Sequence, residues 1–210
     1  MYRSEIQELE MSLAKRENLP LIRKYAQEFY KTHSLEDCWQ FACESWKSTY
    51  FQIQEISVFL CGYIAHQSAA AVLFLKDTVS QHPDWRVQEV LAMAFDAYCK
   101  SIGYENSLQI INEWISSDNH NNRRAVTEGL RVWTSRPFFS EHPQIAISIL
   151  SSLKEDNSLY VRKSVGNALR DISKKHRELI EQELFSWDLS NKKIQQVYKL
   201  AHKYLDKLGG

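Results

Sequence analysis

The sequence has little of the turn chemistry that β-sheet proteins need. It contains four prolines and six glycines in 210 residues, and two of those glycines are the final pair. Tight hairpins place glycine, asparagine or proline at defined positions, and half-buried strands alternate apolar with polar residues. The apolar segments of this chain do neither, so a helical fold is favoured over a sheet.

Motifs for metals, cofactors and common hydrolases are also missing. The four cysteines never form C-x-x-C, and the seven histidines never form H-x-x-x-H, so no zinc site is indicated. Phosphate-binding glycine loops, G-x-S-x-G elbows and H-E-x-x-H helices do not occur. We expect no metal and no cofactor. Free thiols are typical of proteins in the reducing cytoplasm.

Long hydrophobic runs are absent as well. The longest, "AAAVLFL", is far shorter than the roughly 20 residues that a membrane-spanning helix needs. The opening stretch "MYRSEIQELE" is too charged for a signal peptide. The sequence therefore predicts a cytoplasmic protein that does not bind membranes.

Charge of one sign does not dominate the whole chain, but it is unevenly distributed. Lys plus Arg and Asp plus Glu number 26 each. Residues 1–118 carry 10 basic and 16 acidic side chains, whereas residues 119–176 carry 10 basic and 5 acidic ones. Such a basic segment is typical of a phosphate-contacting surface, and equally of a solvated helix face.

Apolar residues recur at spacings of three and four, which predicts helices with one apolar stripe. The pattern holds in segments such as "IQEISVFLCGYI", "VQEVLAMAFDAYC" and "VRKSVGNALRDI". The predicted fold class is all-α.

The chain is also similar to itself. A shift of 34 residues places "YFQIQEISVFL" on "DWRVQEVLAMAF", with Phe51 on Trp85 and Glu55 on Glu89. Weaker copies give register positions 31 to 39 residues apart, namely Ile22, Ile53, Val87, Asn122, Val161 and Ile194. Two helices in each such period are typical of HEAT-like repeats, so we predict one curved α-solenoid domain over residues 1–210, with about six helical hairpins.

One slot, two residues after each register position, is polar or charged throughout. Its members are Lys24, Glu55, Glu89, Arg124, Lys163 and Gln196. We predict that this slot faces solvent on the concave side and that its change from acidic to basic marks a binding surface. The alternative is that the repeats tolerate charge there.

Three segments resemble a known family. "DWRVQE", "DNHNNRRAVTEGLRVW" and "SLYVRKSVGNALRDISKKH", within about residues 50–176, are similar to the HEAT-like repeat DNA alkylation repair family, the AlkC/AlkD group of alkylpurine DNA glycosylases. The resemblance implies double-stranded DNA as the partner. It also implies hydrolysis of the N-glycosidic bond of N3- or N7-alkylpurines without base flipping.

The resemblance also implies site residues. Trp85 and Glu89 match the family's catalytic pair, in which the aromatic ring and the carboxylate face the deoxyribose. Arg124 matches an arginine that holds the DNA backbone, and further phosphate contacts are expected at Arg123, Lys163 and Arg162.

Two departures from the family pattern keep alternatives open. Asn167 stands in "GNALR" where AlkD-like members have tryptophan, and an N-terminal aromatic-x-x-x-G-hydrophobic-x-x-P-x-R string has no equivalent. The first alternative is a non-catalytic protein, associated with the nucleoid, that binds DNA of unusual shape through residues 119–176. The second is a scaffold that binds a protein or peptide on its concave face.

Overall fold

The computed structural model describes residues 2–13 and 18–205, in which helices are the only regular secondary structure. The α-helices are α1 Arg3–Leu13, α2 Leu19–Thr32, α3 Leu35–Ser45, α4 Phe51–Ile64, α5 Ala69–Leu73, α6 Trp85–Ile102, α7 Leu108–Ile115, α8 His120–Gly129, α9 Pro137–Glu141, α10 Pro143–Ser152, α11 Leu159–Ser173, α12 Arg177–Phe185 and α13 Lys192–His202. Phe74–Thr78 forms a π-helical turn, and Val79–Gln81 and Trp133–Ser135 form 3₁₀ turns. The all-α prediction is confirmed.

The chain divides into two compact units, Met1–Ile102 and Gly103–Gly210, each of which is described by itself. The single-domain solenoid over residues 1–210 stays a prediction. The expectation that the family's N-terminal string has no equivalent bears partly on residues 14–17, which lie outside the described residues. No helix in the described part of the chain is long and apolar enough to cross a membrane.

In the first unit, α4 is the central helix and packs against α2, α3 and α6. It is therefore buried on nearly every side, which explains why apolar residues are not confined to one stripe and fill most of its second half, from Val58 to Ile64. Gly62 makes the contact with α6 close, because a Cβ at this position would lie 2.7 Å from the Cα of Ala94.

In the second unit, α11 takes the corresponding place and packs against α8, α10, α12 and α13. Gly166 allows α13 to approach. A Cβ there would lie 2.6 Å from the Cβ of Leu200 and 3.0 Å from the carbonyl oxygen of Val197.

The register positions share one structural place, since each is a buried residue in the first turn or so of a helix. Each is the third residue of α4, α6, α8, α11 or α13, or the fourth residue of α2. The slot two residues further on is less uniform. Lys24, Lys163 and Gln196 are exposed, and Glu89 and Arg124 are half-buried. Glu55 is only 4% exposed, so the prediction that this slot faces solvent is wrong for Glu55. The reason is that the helices around α4 enclose it.

Candidate active site and DNA-contacting residues

The start of α6 is fixed by Asp84, the residue before it. Asp84 Oδ1 accepts the backbone N–H of Arg86 at 2.9 Å, which caps the helix. The Arg86 side chain returns to the same carboxylate through Nε at 3.0 Å and Nη2 at 2.7 Å. The hydrogen bonds from Arg86 lower the pKa of Asp84. Trp85, between them, is therefore the first residue of a rigidly held helix.

The turn before α6 is held from inside the unit. Gln88 Nε2 donates to the carbonyl oxygens of Val79, at 2.9 Å, and His82, at 2.7 Å. His82 Nδ1 accepts the backbone N–H of Asp84 at 3.1 Å. Burial lowers the pKa of His82, which favours the neutral ring that this acceptor role requires. These contacts set the position from which the side chain of Trp85 projects.

Trp85 and Glu89 line one cleft of about 170 Å³. Trp85 is 69% exposed, which is unusual for so large an apolar side chain, and Glu89 is half-buried one turn further along α6. The predicted pair thus shares a helix face and a concave surface. The residues that line the cleft are Asn18, Leu19, Phe51, Glu55, Trp85, Arg86 and Glu89.

The second aromatic and carboxylate pair of the cleft is the repeat copy of the first. Phe51 and Glu55 lie one turn apart on α4, 34 residues before Trp85 and Glu89. The guanidinium carbon of Arg86 lies 3.5 Å from the ring centroid of Phe51, so Arg86 is held between this ring and Asp84. The sequence did not identify Phe51 and Glu55 as residues that line the cleft, although the 34-residue self-similarity already paired Phe51 with Trp85 and Glu55 with Glu89.

Metal-ligating and thiol groups do not contribute to the cleft. Among the described residues, no group of three or more His, Cys, Asp or Glu side chains could hold a metal ion. The four cysteines are free, and burial raises the pKa of the Cys38 thiol to about 11. This thiol is therefore protonated and a weak nucleophile at neutral pH. The carboxylate, aromatic and guanidinium groups are left as the chemistry of the cleft.

Arg123, in the second unit, forms hydrogen bonds with other groups of the same chain. Its Nη1 donates to the carbonyl oxygens of Ser117, at 2.7 Å, and Asp118, at 3.0 Å, in the turn before α8. Its Nε and Nη2 pair with the carboxylate of Asp156. This arrangement gives Arg123 a structural role, and its predicted contact with a phosphate stays a prediction.

Arg162 repeats the arrangement one period later. Its Nη1 donates to the carbonyl oxygens of Asp156, at 2.6 Å, and Asn157, at 3.1 Å, in the turn before α11. Its Nε and Nη2 both donate to Gln196 Oε1, at 3.1 and 2.8 Å. Arg162 is 8% exposed, so it too is positioned to hold the fold together.

A common device explains these contacts. The residue after the register position is arginine or glutamine in every repeat, namely Arg23, Gln54, Gln88, Arg123, Arg162 and Gln195. In the four central repeats its side chain donates to carbonyl groups of the preceding turn. The structural role of this position was overlooked at the level of sequence, although its restriction to Arg or Gln in every repeat is visible there.

The remaining predicted DNA contacts are more accessible. Lys163 is exposed on α11, and Arg124 is half-buried on α8. Asn167, one turn after Lys163, is half-buried. Trp85 and Glu89 belong to the first unit, and all four predicted DNA-contacting residues belong to the second.

Comparison with solved structures shows close similarity over the whole chain. The crystal structure of AlkD2 from Streptococcus mutans is 46% identical, with a TM-score of 0.95, over 97% of this chain and 99% of that one. Alkylpurine DNA glycosylase AlkC from Pseudomonas fluorescens, bound to DNA containing an abasic site analog, is 24% identical over 96% of this chain and 65% of that one, with a TM-score of 0.55. At that identity, the likeness to AlkC shows the fold alone.

Sequence comparison points the same way. An uncharacterized protein of Bacillus subtilis, YhaZ, is 37% identical over 100 residues, which is 46% of this chain and 28% of that protein. The family model described as "DNA alkylation repair enzyme" matches residues 18–185, most of the chain. This match spans both the cleft at α6 and the helices that carry Arg124 and Lys163, and the chain belongs to the DNA alkylation repair enzyme family.

Proposed function

We propose that this protein hydrolyses the N-glycosidic bond of N3- or N7-alkylated purines in double-stranded DNA. The observation that best supports this is the cleft at the start of α6, where exposed Trp85 and half-buried Glu89 lie on one helix face. Alkylation at N3 or N7 makes the purine a cation, and an acidic cleft with an aromatic wall attracts cations.

The reaction requires little chemical assistance from the protein at the purine base. When the bond between C1′ and the purine nitrogen breaks, its electron pair neutralises the cationic purine, and positive charge moves to the sugar. The carboxylate of Glu89 stabilises that charge, and the ring face of Trp85 adds a cation–π contribution. Water then attacks C1′, and its proton passes to solvent. The product is an abasic site and a free, neutral alkylpurine.

In this proposal, Lys163 and Arg124 contact phosphate groups. Lys163 is exposed, and an arginine at position 124 suits bidentate binding of a phosphate. Arg123 and Arg162 donate to Asp156, Gln196 and backbone carbonyl oxygens, and so hold the turns that precede α8 and α11, the helices that carry Arg124 and Lys163. The protein would act on the chromosome, in the cytoplasm.

The test is release of 7-methylguanine from a labelled duplex. We expect release above the spontaneous rate, and a loss of about 100-fold in Glu89→Gln, because one charge that stabilises the transition state is removed. An active relative assayed in parallel controls for the substrate. A wild-type rate equal to the spontaneous rate would rule out the proposed hydrolysis.

Asn167 favours a second function, in which the same surfaces bind DNA without hydrolysing it. An amide stands where AlkD-like glycosylases have a tryptophan, so an aromatic wall for the nucleotide is replaced by a smaller polar group. Binding to linear, single-stranded and branched DNA at low and moderate salt separates the two functions. Tight binding without base release supports the second, whereas no binding at low salt argues against both.

A further inference from the structure

The turn before α6 contains a titratable ring that lies outside the cleft. His82 follows the 3₁₀ turn Val79–Gln81, and its ring accepts the backbone N–H of Asp84, the residue before Trp85. We infer that His82 is a positioning residue for Trp85 that responds to protons: the neutral ring holds the turn, and the protonated ring releases it. This inference rests on the proposed function and adds to it a residue outside the cleft and a dependence on pH.

The hydrogen bond to Asp84 determines where the proton of the neutral ring lies. A backbone N–H can only donate, so Nδ1 of His82, which lies 3.1 Å from the backbone nitrogen of Asp84, carries no proton. The proton of the neutral ring then lies on Nε2. An imidazolium ring has a proton on both nitrogens, so a protonated His82 would turn a donor toward a donor. This hydrogen bond therefore exists only while the ring is neutral.

The surroundings of the ring favour its neutral form in the folded protein. The ring of Trp46, at the C-terminal end of α3, packs edge-on against it with centroids 5.4 Å apart. Burial lowers the pKa of His82, and the negative charge of Asp84 opposes this effect only in part. The carboxylate of Asp84 is itself held by Arg86. His82 should therefore take up its proton at a pH below the ordinary pKa of histidine.

A proton on His82 would also disturb the start of α6. The new cation lies two residues from the carboxylate of Asp84 and attracts it. That carboxylate caps α6 by accepting the backbone N–H of Arg86 at 2.9 Å, so its movement toward His82 weakens the cap. Trp85 lies between Asp84 and Arg86, so the direction of its side chain depends on this turn. In acid, the aromatic ring that faces the nucleotide would therefore lose its fixed position.

The response should be local, because the other contacts of the turn do not titrate. Gln88 Nε2 donates to the carbonyl oxygens of Val79 and His82, at 2.9 and 2.7 Å. An amide keeps these hydrogen bonds in acid as it does at neutral pH. The turn thus stays attached to α6 while the contact between His82 and Asp84 opens. A change confined to one turn is distinguishable from loss of the fold.

Nuclear magnetic resonance tests the structural part of the inference without DNA. We expect the backbone amide signals of Asp84, Trp85 and Arg86 to shift together as the pH is lowered from about 8 to about 5. The carboxyl group of Asp84 does not titrate in this range, because Arg86 lowers its pKa. His82→Asn keeps an acceptor near the position of Nδ1 but takes up no proton, so the shared transition should disappear. His33→Asn, at an exposed histidine of the same unit, is the matched control and should keep the transition.

The pH profile of base release, measured at saturating protein and corrected for spontaneous release, tests the functional part. The wild-type rate should fall by at least about threefold between about pH 7.5 and about pH 5, as one proton is taken up. His82→Asn should lose less than about threefold at neutral pH and should no longer respond to acid. His82→Phe keeps a ring without an acceptor and should be slow at every pH.

The outcomes separate the inference from the proposed function. An amide transition that depends on His82, in a protein that releases no base, supports the proton-sensitive turn and overturns the hydrolysis. Base release with the same acid response in the wild-type protein and in His82→Asn supports the hydrolysis and overturns the role of His82. An amide signal of Asp84 that does not respond to pH in this range, or that responds equally in His82→Asn, also overturns that role.

Discussion

Arg123 and Asp156, 33 residues apart, form a two-pronged ion pair, in which Nε lies 2.5 Å from Oδ2 and Nη2 lies 2.9 Å from Oδ1. Because Arg123 also binds the turn before α8, this one guanidinium joins the turns of two successive repeats. Arg162 continues the pattern, since it binds the turn that contains Asp156 and reaches Gln196 on α13. The second unit is thus held by a chain of arginine contacts that runs from repeat to repeat.

Arg123→Ala should destabilise the protein by about 3 kcal/mol, because it leaves the carboxylate of Asp156 buried without its partner. Urea unfolding followed by circular dichroism measures the change. Lys163→Ala, an exposed position in the same unit, is the matched control and should change the free energy of unfolding by less than about 0.5 kcal/mol. Arg123→Lys keeps the charge without the fork and should restore only part of the stability. Equal stability of Arg123→Ala and the wild-type protein would contradict the structural role.

Asp156 should also make the free energy of unfolding depend on pH in the acidic range. Burial raises the pKa of Asp156, but the hydrogen bonds from Arg123 and from the backbone N–H of Ser158 lower it by a larger amount. The net pKa therefore lies below the ordinary value. A carboxyl group with a lower pKa in the folded state stabilises the fold above its unfolded pKa of about 3.9. That contribution is lost as the pH falls through the folded pKa.

We therefore expect the free energy of unfolding to decrease below about pH 4 more steeply in the wild-type protein than in Asp156→Asn. Urea unfolding at a series of pH values measures both slopes. Asp171, whose pKa is also lowered despite its burial because Lys174 and Arg131 bind it, is present in both proteins and leaves a residual slope in each. Identical slopes would show that Asp156 is not the group responsible.

The sequence predicts the helices and the repeat register because both depend on local spacing. Apolar residues three and four apart form one face whatever the rest of the fold does, so Val87 and Val161 could be identified as core residues beforehand. The resemblance to the family implies Trp85 and Glu89 as the site pair, and their place on one helix face follows from their spacing of four residues.

Contacts across repeats could not be predicted in this way. Glu55 has the same local pattern as Glu89, and it is buried only because α2, α3 and α6 surround its helix. The ion pair of Arg123 could not be predicted either, because its partner Asp156 is 33 residues away. A charge pattern along the sequence gives the sign of a side chain, but its partner is determined by packing.

Gly62→Ala and Gly166→Ala should each destabilise the protein by about 1 to 3 kcal/mol. An added methyl group would lie 2.7 Å from the Cα of Ala94 in the first case and 2.6 Å from the Cβ of Leu200 in the second, so the helices would have to move apart. Replacing glycine by alanine inside a helix is otherwise stabilising by about 1 kcal/mol. The sign of the change in thermal unfolding is therefore decisive, and a stabilising effect would contradict the close packing.

Trp85→Ala should affect activity far more than stability. The side chain is 69% exposed, so its removal deletes little buried apolar surface. We therefore expect the free energy of unfolding to decrease by less than about 1 kcal/mol. Base release should fall by at least about tenfold because the aromatic face beside the sugar is lost. Trp114→Ala, which empties a buried site, provides the contrast and should destabilise the fold strongly. Full activity in Trp85→Ala would exclude the stacking role.

Lys163 should contribute one phosphate contact, which can be measured through the salt dependence of DNA binding. Each phosphate neutralised by a lysine or arginine releases condensed counterions, so the slope of log affinity against log salt should become less negative by about 1 in Lys163→Ala. Lys100→Ala, an exposed lysine on α6, is the control and should leave the slope unchanged. Arg123→Ala distinguishes a structural contact from a direct one. Loss of a structural arginine weakens DNA binding in proportion to the destabilisation of the fold. Loss of a direct contact instead changes the salt slope in a fully folded protein. A slope unaltered by Lys163→Ala would remove this lysine from the DNA surface and leave Arg124 to account for the contact.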